Sequence, residues 1–374
     1  MKIAIENVKI HQPDGSFAAG TLYIENDRIV APCRADEVID GKGALVCPGM
    51  LDIHTHGRVG GDFCEADAQK LSEIAVDFAR MGVTTVLPSL ASDTTESWKR
   101  ALARFAACGA PSYIGVHIEG SWLSQKKRGA HAPALLRAPS VAELEELIKA
   151  SPLPIMKISA APERDEDGSF IAACRAHGIH FSIAHTEADY ATAIAALDRG
   201  ADCFTHLYNA MLPLHHREGG PVAAALTEDR AFVELICDGI HIAPEMVRLA
   251  YRCKGAEKFI LISDSMAGTG CPDGTYEIAG QPAIVKDGKA LTLDGHLAGS
   301  TLNLLQGVQN LATFCHIPFG QALLSATRTP ATYLGVEKEY GTLTEGAYAN
   351  LFLLESENAE RPARVMQNGK WLAV

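Results

Sequence analysis

No two cysteines in this chain stand in a Cys-x-x-Cys spacing, although there are ten of them. Scattered singly, they read as reduced core residues and not as a disulfide framework or a zinc knuckle, which fits a cytoplasmic protein. A basic excess is missing too: 33 lysines and arginines face 45 aspartates and glutamates, a net charge of -12 with both signs mixed throughout. Non-specific nucleic-acid binding depends on basic patches, so no nucleic-acid partner is expected. No apolar run reaches transmembrane length, and Met1-Lys-Ile-Ala-Ile-Glu6 reads as a strand and not as an amino-terminal signal pattern. No membrane partner is expected. Tandem repeats and low-complexity tracts are also absent. What is there is an ordinary globular composition, 47% hydrophobic and 21% charged, in 374 residues. That is enough for one large domain and something smaller.

The two ends of the chain read as β-structure. Near the start, Ile3–Ile10 alternates, Asp14-Gly15 turns, Gly20-Thr-Leu-Tyr-Ile-Glu25 follows, and Asn26-Asp27 turns into Arg28-Ile-Val30. Near the finish, Ala349-Asn-Leu-Phe-Leu-Leu354 is strand-like and 363–374 forms a hairpin about Asn368-Gly369. With nothing large of their own to cover, the two segments, 1–48 and 338–374, are expected to pack together as a small β-sandwich. Between them, apolar strand candidates at 50–53, 84–87, 113–118, 155–159, 180–184, 201–205, 232–237 and 259–263 alternate with helical patterns, most clearly at 67–80, 95–108, 140–150, 168–178, 190–197 and 244–251. Eight strands with intervening helices predict an α/β fold, a (β/α)8 barrel over 49–337. A β insertion interrupts the rhythm around 275–294, and helices resume at 302–315 and 320–327.

Chemistry concentrates in the stretch Cys47-Pro-Gly-Met-Leu-Asp-Ile-His-Thr-His-Gly57. Residues two apart on a strand share a face, so His54 and His56 converge on one point, and Gly57 lets the chain turn away. Two imidazoles aimed at one point begin a metal site. Barrel active sites lie at the carboxyl ends of strands. Reading those ends in order gives His54-Thr-His56, His117-Ile-Glu119-Gly120, Ala184-His185-Thr186, Thr205-His206-Leu-Tyr-Asn209, Asp238-Gly-Ile-His241 and Ser263-Asp264-Ser265. One strand-end histidine or aspartate is usually a satisfied loop residue. Six such ends in order point to a metal centre.

These segments, with Gly129-Ala-His131, Ala161-Pro-Glu163, Thr205-His-Leu-Tyr-Asn-Ala-Met211, His215-His-Arg-Glu-Gly219 and Leu297-Ala-Gly-Ser-Thr301, resemble the N-acetylglucosamine-6-phosphate deacetylase family of the amidohydrolase superfamily over nearly the whole chain. The resemblance implies a metal-dependent hydrolase that removes acetate from an amino-sugar 6-phosphate, and a homodimer. It implies that Glu119, His185 and His206 hold a metal always present in the family, and that His54 and His56 match a second site only some members keep. Asp264 matches the catalytic carboxylate and counts among the metal ligands as well, and His131 matches the residue that orients the acetyl carbonyl. Asn209, Ala210, Arg217 and His241 match sugar-phosphate contacts, Arg217 in its own subunit or across the dimer. One or two divalent ions per chain are implied, zinc first, with iron, cobalt or manganese as alternatives. Three departures stand out: Ser121-Trp122 where Pro-Phe is usual, Thr329-Pro-Ala for Asn-Pro-Ala, and Ser263-Asp-Ser for Thr-Asp-Ala. Ser121 and Trp122 adjoin a ligand and leave the sugar and the acyl group open.

The chemistry also follows from the residue types. Amide hydrolysis needs a strong nucleophile, and a metal lowers the pKa of a water to about 7. Asp264 can take that water's proton and deliver it to the leaving amine. A metal and His131 can both stabilise the carbonyl oxygen. Lys157, on strand four, matches the position of a bridging carboxylated lysine in cyclic amidohydrolases, but lies short of the strand's end. His117 shares a strand face with Glu119 and reads as a supporting partner. Glu163 reads as a supporting partner or a cap. His11, His177, His296 and His316 read as solvent-facing. Two further readings stand beside the deacetylase. One is another amidohydrolase, acting on N-acetylgalactosamine 6-phosphate, a cyclic amide or an N-acyl amino acid. The other is a non-catalytic metal-binding or sugar-phosphate-sensing barrel.

Overall fold

In the computed structural model, which describes residues 1–373, the apolar runs of the middle region become eight parallel strands side by side in chain order. They are Met50–Thr55, Val83–Leu90, Val116–Glu119, Ile155–Ala160, His180–Ile183, Ala201–Phe204, Phe232–Ile236 and Phe259–Ile262. Strands one and eight close the barrel through single contacts, not a continuous ladder. Asp264 N–H donates to the His54 carbonyl at 2.9 Å, while Leu51 and Leu261 donate to the carbonyls of Ala326 and Ser325.

The helices start where short polar side chains can accept the free N–H groups of a first turn. Asp67 caps Ala68–Arg80, Thr94 caps Thr95–Cys108, Ser140 caps Val141–Ala150 and Asp189 caps Tyr190–Arg199. Their apolar faces, such as Leu71, Ile74 and Phe78 or Trp98, Leu102 and Phe105, join Val86, Ile118, Ile158, Val233 and Leu235 of the strands in one large core. Strand residues alternate, so the neighbours of these core residues face inward. The inward set is unusually polar: Asp52, His54, Lys157, Ser159, Ser182 and Glu234 are all fully buried.

Both ends of the chain meet in one mixed sheet. Lys2–His11, Phe17–Glu25, Arg28–Val30, Glu37–Asp40 and Leu45–Pro48 are joined there by Leu351–Leu354, Arg364–Gln367 and Lys370–Trp371. The opening strand pairs in parallel with Glu37–Asp40 along one half and with Leu45–Pro48 along the other, while its antiparallel pairing with Phe17–Glu25 shifts register between Ile5 and Val8. Ile3, Ile5, Leu22, Ile24, Val46, Leu351 and Met366 form its own small core. His11 is not solvent-facing. It ends the opening strand at 5% exposure, and its Nε2–H donates to the Gly320 carbonyl at 2.9 Å. After strand eight, Gly274–Ile278, Gln281–Lys286 and Lys289–Thr292 form an antiparallel meander. Among the described residues no helix is long and apolar enough to cross a membrane.

Candidate active site

Strand ends, with the loop that carries His131, bring five histidines and two carboxylates to one end of the barrel, and all of them but His54 line a cavity of about 400 Å³. Glu119 sits at the centre. Its Oε1 lies 3.4 Å from His54 Nε2, 3.6 Å from His185 Nε2 and 3.2 Å from His206 Nε2; its Oε2 lies 2.9 Å from His56 Nε2 and 3.6 Å from His131 Nε2. Asp264 Oδ1 stands 3.4 Å from His56 Nε2 and 3.6 Å from His54 Nε2. His185 and His206 face each other through their Nε2 atoms at 3.1 Å. Three of these residues hold left-handed backbone at the strand ends, with φ of 45° at His185, 29° at His206 and 49° at Asp264. Such conformations are uncommon outside glycine and gather at functional sites. Gly57, with φ of 146°, turns the chain away after His56, where an added Cβ would lie 2.0 Å from the Gly61 carbonyl oxygen.

These spacings suit metal ions. Ligand atoms about 2.1 Å from a tetrahedral ion stand about 3.4 Å apart. Two groups gather their ligand atoms within 4.8 Å of one another, His54 with His56 and Asp264, and Glu119 with His131 and His185. His206 competes with His131 for a place in the second group, and hydrogen bonding separates them. His131 Nδ1 accepts the Ser92 N–H at 3.3 Å, so in the neutral ring its Nε2 carries the proton. Burial, outweighing the pull of Glu119, lowers His131 to about 4 and keeps it neutral. It faces Glu119 as a donor. His185 is the reverse case: its Nδ1–H donates to the Lys127 carbonyl at 2.6 Å, leaving an Nε2 lone pair for the cluster. His54 resembles His185, since its Nδ1 meets Glu234 Oε2 at 3.1 Å and its Nε2 has no hydrogen-bond partner. His206, like His56, leaves its buried Nδ1 without a partner.

Electrostatics agree with the spacing. Lys157 answers Glu234, which leaves Glu119 and Asp264 to be balanced by the histidines or by a cation in a buried site. Burial opposes both carboxylates, but surrounding histidines prevail: His54 and bonds from His131, His185 and His206 hold Glu119 well below the usual range. Bonding to His56 and the charges of His54 and His56 hold Asp264 low. Burial likewise opposes protonation of His54, yet Glu119 and Glu234 raise it to about 9. A point that draws protons this strongly also draws a divalent cation, which displaces them on binding.

Asn209, Ala210 and His241 line the cavity, with Gln125–Arg128, Ile278, Ala279, His296, Leu297 and Gly299. His241 Nδ1 bonds Asp238 at 2.6 Å, so its Nε2 is turned to other partners. Arg217 is not brought to the cavity of its own chain. It lies exposed in a tight turn, its guanidinium 2.7 Å from His216 Nε2. Trp122 does not face the site either. It is buried between Trp98 and Phe170 with its indole N–H on Glu143, and Ser121 bonds the Asp93 carbonyl. Glu163 braces the fifth strand's loop by accepting from Thr186 Oγ1 and the Glu187 N–H. Lys157 is wholly buried and donates to Glu234. The chain's register puts it level with His117, two residues beneath Glu119. Sequence reading missed Glu234, whose signal was a lone charge inside an apolar strand. It also missed the cavity residues of the 125–128 loop and of the segment 278–299.

Residues 45–372 match the sequence pattern of the Amidohydrolase family. The chain is 37% identical over 315 residues to an N-acetylglucosamine-6-phosphate deacetylase of Vibrio furnissii, covering 83% of this chain and 79% of the relative. It is 35% identical to an N-acetylgalactosamine-6-phosphate deacetylase of Escherichia coli O157:H7, covering 85% and 86%. Among solved structures, a mutant N-acetyl-D-glucosamine-6-phosphate deacetylase from Mycobacterium smegmatis, in complex with N-acetyl-D-glucosamine-6-phosphate, superposes with a TM-score of 0.90 at 33% identity. It covers 99% of this chain and 98% of that one.

Proposed function

We propose a substrate and a division of labour for a chain that belongs to the amidohydrolase family and, within it, to the N-acetylglucosamine-6-phosphate deacetylases. It hydrolyses the acetamido group of an amino-sugar 6-phosphate, and N-acetyl-D-glucosamine 6-phosphate is the substrate we assign. The family and the two ligand groups support a divalent metal. We assign Glu119, His185 and His206 to one ion, and His54, His56 and Asp264 to a second with Glu119 between them, zinc being the metal of choice for such nitrogen and oxygen donors.

The observation that carries this reading is the sorting of the histidines by their outer nitrogens. His54 and His185 turn lone pairs inward, while His131 turns an N–H inward. An ion held there supplies Lewis acidity and makes water nucleophilic near neutral pH. The protein's side chains do the rest. Asp264, held ionised, accepts a proton from the attacking water. It then returns that proton to the departing nitrogen, which leaves as a neutral amine. His131 Nε2–H donates to the acetyl oxygen as negative charge builds there. Asn209, the backbone of Ala210 and His241 line the cavity where the sugar binds. Because Arg217 is exposed and outside its own cavity, we assign it to the 6-phosphate of a partner subunit in a homodimer. Ten free cysteines agree with a cytoplasmic setting.

Acetate release from N-acetylglucosamine and N-acetylgalactosamine, each with and without the 6-phosphate, tests the assignment. The gluco phosphate is expected to be turned over fastest. A faster galacto phosphate would favour the second sugar, which the Escherichia coli relative's name brings forward. Equal rates with and without phosphate would end the sugar-phosphate reading.

A further inference from the structure

One buried arrangement has no part in the reaction described. Lys157 on strand four and Glu234 on strand seven meet across the barrel interior, both at 0% exposure. Glu234 uses both oxygens: Oε1 takes the lysine's proton donor, and Oε2 stands 3.1 Å from His54 Nδ1. Burying a lysine and a glutamate together is costly, because desolvation takes back much of their attraction, and well-packed apolar residues commonly serve stability as well. The pair's return must therefore lie elsewhere. The His54 ring shows where, for it is held on two sides. Glu234 grips Nδ1, the His117 ring abuts it edge-on at 4.6 Å, and His117 is itself fixed between Ser89 and Ser159 at 2.7 Å each.

We infer that Glu234, held ionised by Lys157, is a positioning residue that sets the tautomer of His54 and thereby the occupancy of the ion site formed by His54, His56 and Asp264. A carboxylate paired to an ammonium can only accept, so His54 Nδ1 must carry a hydrogen, and Nε2 is the nitrogen that gives up its proton to an incoming cation and offers it a lone pair. That atom is the one facing Glu119 at 3.4 Å and Asp264 at 3.6 Å without a hydrogen-bond partner. Lys157 thus serves the metal site as a counter-charge one layer down and not as a carboxylated bridging ligand. His185 needs no such device, since the Lys127 carbonyl fixes its tautomer. The second ion alone depends on the buried pair. This inference rests on the two-ion assignment above, but not on the identity of the substrate.

The test compares Glu234→Gln with Glu234→Leu, both in a Lys157→Met background. Each double variant removes both charges, so neither leaves a lone buried ion, and thermal unfolding of each checks that it folds. Only glutamine keeps an oxygen that can accept from His54 Nδ1. Zinc content after dialysis against a fixed chelator, and chelator competition, are read alongside the absorption of cobalt-loaded protein. The leucine variant is expected to bind one of its two ions 10–100-fold more weakly, the usual cost of losing such an outer partner. The other ion should be held as in the wild type, and the glutamine variant should recover most of the loss. Identical metal binding by the two variants would overturn the inference, and so would equal weakening of both ions or a wild type that never holds a second ion. A wild type that binds two ions but releases no acetate would instead overturn the deacetylase reading and leave this one standing.

Discussion

Replacing Asp264 by asparagine isolates the proton-transfer step from the architecture around it. Asp264 sits at φ of 49°, a backbone conformation asparagine adopts as readily as aspartate. Its N–H on the His54 carbonyl at 2.9 Å and its carbonyl on the Ser300 N–H at 2.7 Å involve no side-chain atom and survive the change. The side chain keeps its shape and loses its charge and its basicity. Removing a general acid–base group typically slows a reaction by about 10²–10⁴-fold. That corresponds to about 2.7–5.4 kcal/mol of transition-state stabilisation. Because the lost interaction belongs to the reacting state, kcat and kcat/KM are expected to fall together with KM little changed.

Two assays run side by side decide it: acetate release over a range of the 6-phosphate substrate, and elemental analysis of the same preparation. The ion assigned to Glu119, His185 and His206 should remain. Turnover near the wild-type rate would refute the assignment of proton transfer to Asp264. A loss that disappears when excess zinc is added would also refute it, since Asp264 would then matter only as a ligand of the ion it shares with His54 and His56.

Changing both His54 and His56 to asparagine is expected to lower metal content from about two ions per chain to about one and to leave partial activity; a content unchanged by elemental analysis would remove the second site. Arg217→Ala should cost roughly 10²–10⁴-fold in kcat/KM on the phosphorylated sugar, from two lost charged hydrogen bonds at about 1.5–3 kcal/mol each, while sparing the unphosphorylated one. If that arginine serves the partner's cavity, unfolding and refolding an equal mixture of the inactive Asp264→Asn and Arg217→Ala chains should restore up to about one quarter of the sites; no recovery over either variant alone places Arg217 in its own subunit. Burial lowers the pKa of His11 against the opposing bond to Gly320, so the folded state binds fewer protons than the unfolded one below about 6.5. Stability should therefore fall as pH drops below that value, and His11→Gln should show a shallower fall in urea midpoint, whereas an unchanged slope would assign the acid sensitivity elsewhere.

The barrel was legible because its two element types carry different patterns. Parallel strands covered on both faces are short apolar runs, and six of the helices announce an amphipathic face or a capping residue such as Asp67 or Ser140. Where the pattern is absent, so was the element. The helix Gly220–Thr227 holds a glycine and a proline, and its side chains are buried nearly all round, so no 3.6-residue period marks it. The third strand begins later than its apolar run, because Tyr113 keeps only a single bridge to Val86, with its hydroxyl on the Leu71 carbonyl, and the pairing lapses at Ile114 and Gly115 before Val116. The strand-end residues could be ordered from sequence since a period of two fixes the face of each. Contacts across the barrel could not. Nothing in Phe232–Ile236 says that Glu234 meets a lysine from strand four, and nothing near His11 says that the Gly320 segment covers it. Trp122 illustrates the same limit, being adjacent to Glu119 in sequence yet turned into the helix layer.

The histidines of the cavity floor are chemically alike, and their outward nitrogens give them different work. A carbonyl or carboxylate behind the ring, as at His185 and His54, forces the hydrogen outward and leaves a lone pair inward. An amide N–H behind the ring, as at His131, reverses this and directs a hydrogen inward. All three rings approach the same carboxylate, Glu119, at 3.4–3.6 Å, so distance alone cannot divide them. The division matters because the two tasks are incompatible in one ring nitrogen: an atom that donates a pair to a cation cannot also donate a proton to an oxyanion. A hydrolase of this kind needs both, one to hold the cation and one to meet the charge that develops on the acetyl oxygen. The backbone of Ser92 would fit His131 for the second role with no side chain of its own, from the loop directly following strand two. Substituting His131 by glutamine keeps an N–H donor and by leucine removes it, so the glutamine variant should retain more of kcat than the leucine variant at equal metal content. Equal losses in the two, with metal unchanged, would mean that His131 shapes the cavity without bonding the acetyl group.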